Sequence, residues 1–206
     1  MEYTSVSVLP SIQPIRLRVT KQPFDSPDYI FELKHDGFRA IAYIEKRKCH
    51  LVSRNLNQFK FQTLQEALST LPVKNAILDG EVVCLDDRGV SQFTQLLRRE
   101  CDPAFYVFDL LWLNGKDYRG LPLVDRKARL EKLLKSSKSE RILYAQHIER
   151  GGKELFAEVC SRDLEGIVAK RKLGTYKDSA RNWLKIKNPN YTQSKDRHEL
   201  LTHSKK

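Results

Sequence analysis

The segment Phe105 to Leu113, FYVFDLLWL, is nearly all apolar apart from Asp109, and it constrains the fold more than any other stretch. A strand of this kind is covered on both faces, so other elements must pack on either side of it. Residues 76–85, AILDGEVVCL, predict a partner strand rich in branched residues, with Asp79, Glu81 and Val83 on one face. Phe61, Leu64, Leu68 and Leu71 recur at helical spacing and predict a core-facing helix closed by Pro72. A short helix is expected around Phe93 to Arg98. Another runs from Val124 to Ser136, with Asp125 as its cap and Leu130, Leu133 and Leu134 on its buried side. A further helix spans about Lys153 to Arg162. Cys49 to Ser53, LEGIVAKR and NWLKIK complete the set as strands. Strands joined by hairpins, with helices gathered between them, predict an α+β domain of mainly antiparallel sheets flanked by helices.

Residues 29–34 alternate, placing Tyr29, Phe31 and Leu33 on one face and Ile30, Glu32 and Lys34 on the other. Asp36 and Gly37 supply a turn signal, after which Phe38, Ala40, Ala42 and Ile44 resume the alternation. A hairpin with Lys34 at its mouth is expected. Upstream, Pro10, Pro14, Pro23 and Pro27 block a long helix, so residues 1–28 are expected to form an extended surface arm. The domain proper then covers residues 29–190, and residues 191–206 form a polar basic tail.

The net charge of +11 favours a polyanionic partner, with nucleic acid the first candidate. From Lys170 onward there are eleven Lys and Arg against three acids. The four cysteines are far apart, with no C-x-x-C pair, so zinc is not expected. Without a signal-like apolar run they read as reduced thiols in a cytoplasmic protein, and no stretch is long or apolar enough to span a bilayer. His198 and His203 have metal-like spacing but lie in the polar tail.

Alternation in residues 183–187 puts Trp183, Lys185 and Lys187 on one face, opposite Leu184 and Ile186. Two adjacent lysines repel unless an anion lies between them, which suggests phosphate; an edge strand guarded by lysines is the alternative. Glu81 and Glu165 sit in otherwise apolar strands, where an unpaired carboxylate costs several kcal/mol. Ion pairs with Arg39 or Arg54, a hard cation such as Mg²⁺, or a sugar would each satisfy them.

KHDGFR, SRN, LDGE, FYVFDLLWL, EGIVAKR and WLKIK, in this order and spacing, resemble the successive nucleotidyltransferase motifs of ATP-dependent DNA ligases. The nearest likeness is to the ligase module of bacterial end-joining ligases, over about residues 23–190. The resemblance implies a nucleotidyltransferase core of the ATP-grasp-like kind. It makes Lys34 the nucleophile that takes AMP from ATP, with Glu32 on the adenine side, and places Arg39 and Arg54 at ribose or DNA phosphate. Glu81 then falls to the ribose or metal, Phe108 to the adenine face, Glu165 to Mg²⁺ or Mn²⁺, and Lys185 and Lys187 to the α-phosphate. Lys170 also falls in a family motif, although alternation turns it away from Glu165. Arg54, Lys170, Arg171 and Lys172 are the implied DNA contacts.

Only 19 residues follow Lys187, and they lack the strand pattern of the OB-fold domain found in complete ligases of this kind. The expectation is therefore a monomeric catalytic core acting on nicked or broken double-stranded DNA. Its self-adenylation would be slow or dependent on a separate OB-fold or end-binding protein. An RNA ligase, a capping-type nucleotidyltransferase and a non-catalytic nucleotide- or DNA-binding module are the competing readings.

Overall fold

The computed structural model describes residues 9–177 and 182–194. Twelve strands and four helices are found among them. Five strands form a small sheet: β1 (Arg18–Val19), β2 (Tyr29–Leu33), β10 (His147–Glu149), β11 (Gly166–Arg171) and β12 (Trp183–Lys187), in the order β1-β12-β11-β2-β10. The large sheet runs β5 (Gln58–Phe59), β4 (Lys48–Ser53), β3 (Phe38–Glu45), β6 (Asn75–Val83), β7 (Ala104–Leu113) and β8 (Lys116–Asp117), with β9 (Ile142–Tyr144) beside β7. Pairing is antiparallel except for β1 with β12 and β7 with β9. The expected α+β architecture is present.

The helices are α1 (Gln62–Ser69), α2 (Phe93–Arg98), α3 (Leu123–Lys135) and α4 (Gly152–Ser161). Leu64 and Leu68 of α1 and Leu130 and Leu134 of α3 pack with Ala40, Ala42 and Ile44 of β3 on the outer face of the large sheet. The small sheet's outer face presents Phe31, Ile167, Ala169 and Ile186 to Val159 of α4. Between the sheets lies a third cluster containing Ile30, Ile41, Ile77, Tyr176 and Trp183. Alternation in β2, β3 and β12 explains this layering, because each strand sends successive side chains into different clusters.

Several expectations are corrected. Residues 29–45 are no hairpin: β2 pairs with β10 and β11, whereas β3 pairs with β4 and β6 in the other sheet. Residues 34–37 cross between sheets. Gly37 is required there for close approach, since a Cβ would strike the Val82 carbonyl oxygen. The arm is not confined to the surface, because Ile12 and Ile15 are buried in the cluster between the sheets and β1 extends the small sheet. Pro122, not Asp125, occupies the N-cap of α3, with Asp125 in its first turn. Glu165 immediately precedes β11 and is not inside it. Cys84 and Cys101 are joined as a disulfide, while Cys49 and Cys160 are free, so the thiol reading holds only for the latter pair. His198 and His203 lie outside the described residues. Among the described residues, no helix is long and apolar enough to cross a membrane.

Candidate active site

The inner face of the small sheet carries three rows of side chains set by strand register. Ile30, Lys170 and Trp183 form one row, and Glu32, Val168 and Lys185 the next. In the third, the Lys34 amide donates to the Gly166 carbonyl at 2.9 Å, and Gly166 pairs with Lys187. Lys34, Lys185 and Lys187 are thus gathered at one end of the cleft. Gly166 has φ +148°, and a Cβ there would collide with the Ile186 carbonyl oxygen. Just before it, Glu165 is 6% exposed and accepts a hydrogen bond from Lys34 Nζ at 2.7 Å. Burial, then the charges of Lys187 and Lys34, lower the pKa of Lys185 below the usual lysine range, against the pull of Glu165. A site of this kind is prepared for an anion.

Deeper in the cleft, Glu32 is 2% exposed. Its two oxygens accept from Lys127 Nζ at 2.7 Å and Lys170 Nζ at 2.5 Å. Burial pushes the Glu32 carboxyl up, but the two lysines outweigh it and leave the pKa below the ordinary value. Lys170 is lowered to about 8, chiefly by burial, which Glu32 only partly offsets. Its ammonium lies 4.0 Å from the centroid of Trp183 and 4.2 Å from that of Phe108.

On the opposite wall, Arg39 grips Asp79 through Nε at 3.0 Å and Nη2 at 2.6 Å, and Nη1 donates to the Ile15 carbonyl at 2.5 Å. Tyr176 also donates to Asp79, at 2.7 Å. Asp109 accepts two bonds from Arg126 of α3, both at 2.7 Å, and both residues are fully buried. The His35 ring stacks on Tyr106 at 3.7 Å, and Tyr106 is the register partner of Glu81. Burial lowers the His35 pKa to about 4.

Residues 16–187 match the family profile described as the ATP dependent DNA ligase domain. The chain belongs to this family. It is 31% identical over 184 residues to the multifunctional non-homologous end joining protein LigD of Pseudomonas aeruginosa, covering 85% of this chain and 22% of that protein. It is 29% identical over 192 residues to the SPbeta prophage-derived DNA ligase-like protein LigB of Bacillus subtilis, covering 88% of this chain and 69% of that protein. A structure of mycobacterial DNA ligase D complexed with ATP and MES matches with a TM-score of 0.73 and 26% identity, over 84% of this chain and 60% of that one. The ligase domain of Mycobacterium tuberculosis LigD matches with a TM-score of 0.73 and 27% identity, over 84% of this chain and 59% of that one. The chain therefore corresponds to the adenylation-domain region of the ligase and spans less than two thirds of these ligase structures.

Against this ligase framework the residues singled out in the sequence fall at different depths of the cleft. Lys34, Glu165, Lys185 and Lys187 converge, and Arg54, exposed on the loop after β4, is near enough for its charge to act on Lys185. Glu32, Lys170 and Phe108 form the inner cleft, and Glu81 flanks the crossing segment, with its Cγ 3.1 Å from where a Gly37 Cβ would lie. Arg39 is held by Asp79 and the Ile15 carbonyl, and Lys170 is 2% exposed and held by Glu32. Arg171 remains on the surface, and Lys172 pairs with Glu149 at 2.5 Å.

Lys127, Arg126, Tyr176 and Tyr191 went unrecognised in the sequence. Lys127 and Arg126 lie at buried positions of α3. Two cations on an otherwise leucine-lined helix side are the signal that could have found them.

Proposed function

We propose that the chain is the catalytic core of an ATP-dependent DNA ligase, forming a covalent lysyl-AMP on Lys34 and passing AMP to the 5′-phosphate of a DNA break. The observation that carries this reading is Lys34 Nζ set 2.7 Å from Glu165 on the sheet face that also holds Lys185 and Lys187. In the first step Nζ forms a bond to the α-phosphorus while the bond from that phosphorus to its bridging oxygen breaks, and pyrophosphate leaves. As an ammonium, Nζ must lose two protons in all, one to become a nucleophile and one as the N–P bond forms, and Glu165 Oε2 is an adjoining acceptor that can pass them on to solvent. Lys185 and Lys187 stabilise charge gathering on the α-phosphate. On the adenine side are Glu32, Lys170 and Phe108, with Glu81 toward the ribose.

The site also suits a hard cation. Once Nζ carries AMP it is no longer an ammonium, and Glu165, 6% exposed, loses that positive partner beside a newly bound phosphate. Mg²⁺ or Mn²⁺ held by Glu165, with Glu81, would restore the balance and act as a Lewis acid. No group of three or more His, Cys, Asp or Glu side chains suited to a metal is present among the described residues, so phosphate oxygens and water would complete the coordination.

Incubation with α-labelled ATP and Mg²⁺ tests the reading: label is expected on wild type and not on Lys34→Ala. Equal labelling of the two would remove Lys34 as the nucleophile. Parallel reactions with GTP, and with nicked RNA in place of nicked DNA, check the nucleotide and the acceptor. Adding a separate OB-fold or end-binding protein to the same reactions tests whether self-adenylation and sealing depend on a partner.

A further inference from the structure

The segment following β12 turns back onto the Lys34–Glu165 pair from both sides. The Asn188 amide donates to the Glu165 carbonyl at 2.9 Å, and its side-chain amide donates to the Leu164 carbonyl at 3.0 Å. Thr192 donates through its backbone amide at 3.0 Å and through its hydroxyl to the Asp163 carboxylate. Between these anchors Tyr191, 5% exposed, donates its hydroxyl to Oδ2 of Asp36 at 3.1 Å. Asp36 is 1% exposed and lies two residues after Lys34 on the segment that crosses between the sheets. Burial and the neighbouring Asp36 raise the pKa of the Tyr191 phenol, so it remains a donor. One short stretch of backbone thus fixes the ground on which both members of the ion pair stand.

We propose that Tyr191 is a positioning residue for adenylation, holding Lys34 opposite Glu165 through Asp36 while Asn188 and Thr192 hold the Glu165 side. This rests on Lys34 being the nucleophile, and it adds a residue outside every motif used to recognise the chain. A donor buried beside a carboxylate fixes orientation more strongly than a neutral pair, because hydrogen bonds to charged groups are the stronger ones.

The test uses the full chain. Tyr191→Phe keeps the ring that fills the site and removes only the donor. In single-turnover labelling at saturating ATP, the rate constant is expected to fall about tenfold, with the KM for ATP close to wild type and the melting temperature lower by a few degrees, because buried Asp36 loses a donor. A second readout is independent of nucleotide: competitive acetylation of Lys34 and of exposed Lys116 by acetic anhydride, read by peptide mass. Loosening Lys34 from Glu165 should raise its acetylation relative to Lys116 severalfold in Tyr191→Phe. Unchanged labelling together with unchanged acetylation would overturn the proposal. So would a higher KM and a lower melting temperature with an unchanged acetylation ratio, which mark a purely structural role. If wild type takes no label from ATP, the nucleotidyl-transfer reading fails by itself, and the acetylation ratio still decides for or against Tyr191.

Discussion

The two walls of the cleft are both charged, yet they use charge in opposite ways. On the large sheet, Asp79 and Asp109 are 0% exposed and each is closed off by an arginine. The small sheet closes its inner acid in the same way, with Glu32 held by Lys127 and Lys170, but at its outer end Lys34, Lys185 and Lys187 share a face with Glu165, and positive charge is left in excess. Arginine suits the first task because its planar fork matches a carboxylate and stays charged when buried. Lysine suits the second, because a point charge can turn toward a phosphate and its amine can act as a nucleophile. Charge on the large sheet is part of the scaffold, and charge at the outer end of the small one is held in reserve.

That contrast can be broken most severely at Asp109. Asp109→Ala leaves Arg126 buried without its carboxylate and is expected to cost about 3–5 kcal/mol, measured by urea denaturation. Lys185→Ala and Lys187→Ala should do the reverse. Stability is expected to stay within about 0.5 kcal/mol, while labelling by ATP drops about a hundredfold, seen by comparing melting curves with single-turnover rates.

His35 sharpens the contrast at the junction of the walls. The folded protein keeps its imidazole neutral down to about pH 4, whereas the unfolded chain takes up that proton near the ordinary value of 6.5. The unfolded state therefore binds more protons between these limits, and stability falls as pH drops through that window. His35→Phe, which preserves the stack on Tyr106, should remove about 2 kcal/mol of this acid sensitivity, visible as a flatter plot of stability against pH. The smallest effect is expected at the surface: Arg171→Ala or Lys172→Ala should each lower the slope of log affinity for nicked DNA against log salt by about one. An unchanged slope would take either residue out of the DNA interface.

Much of the fold was legible because alternation is a local property. It assigned the correct face to Ile30 and Glu32, to Ala40 and Ala42, and to Trp183 and Ile186. It could not decide where β2 and β3 pair, since two strands look the same in sequence whether they fold into a hairpin or pass into separate sheets. Long-range partners were hidden for the same reason. Glu32 and Lys127 are separated by 95 positions and Arg39 and Asp79 by 40, and neither helical nor strand periodicity links them. The arm was misjudged because its prolines speak only against a helix. They are silent on Ile12 and Ile15, which the cleft buries.

Strands β3 to β9 of the large sheet form one unbroken stretch of chain, entered through residues 34–37 and left through residues 145 and 146. Both passages are short, and both join strands at β2 and β10, which pair with each other through Glu32 and His147. Two short tethers therefore carry the whole covalent link between the sheets, and Lys34 begins one of them. The far side is tied by hydrogen bonds instead, from the Val124 amide to the Lys172 carbonyl at 3.2 Å and from the Tyr176 amide to the Arg119 carbonyl at 2.8 Å. Lys34 thus stands where chain connectivity, not side-chain packing, fixes the spacing of the two walls.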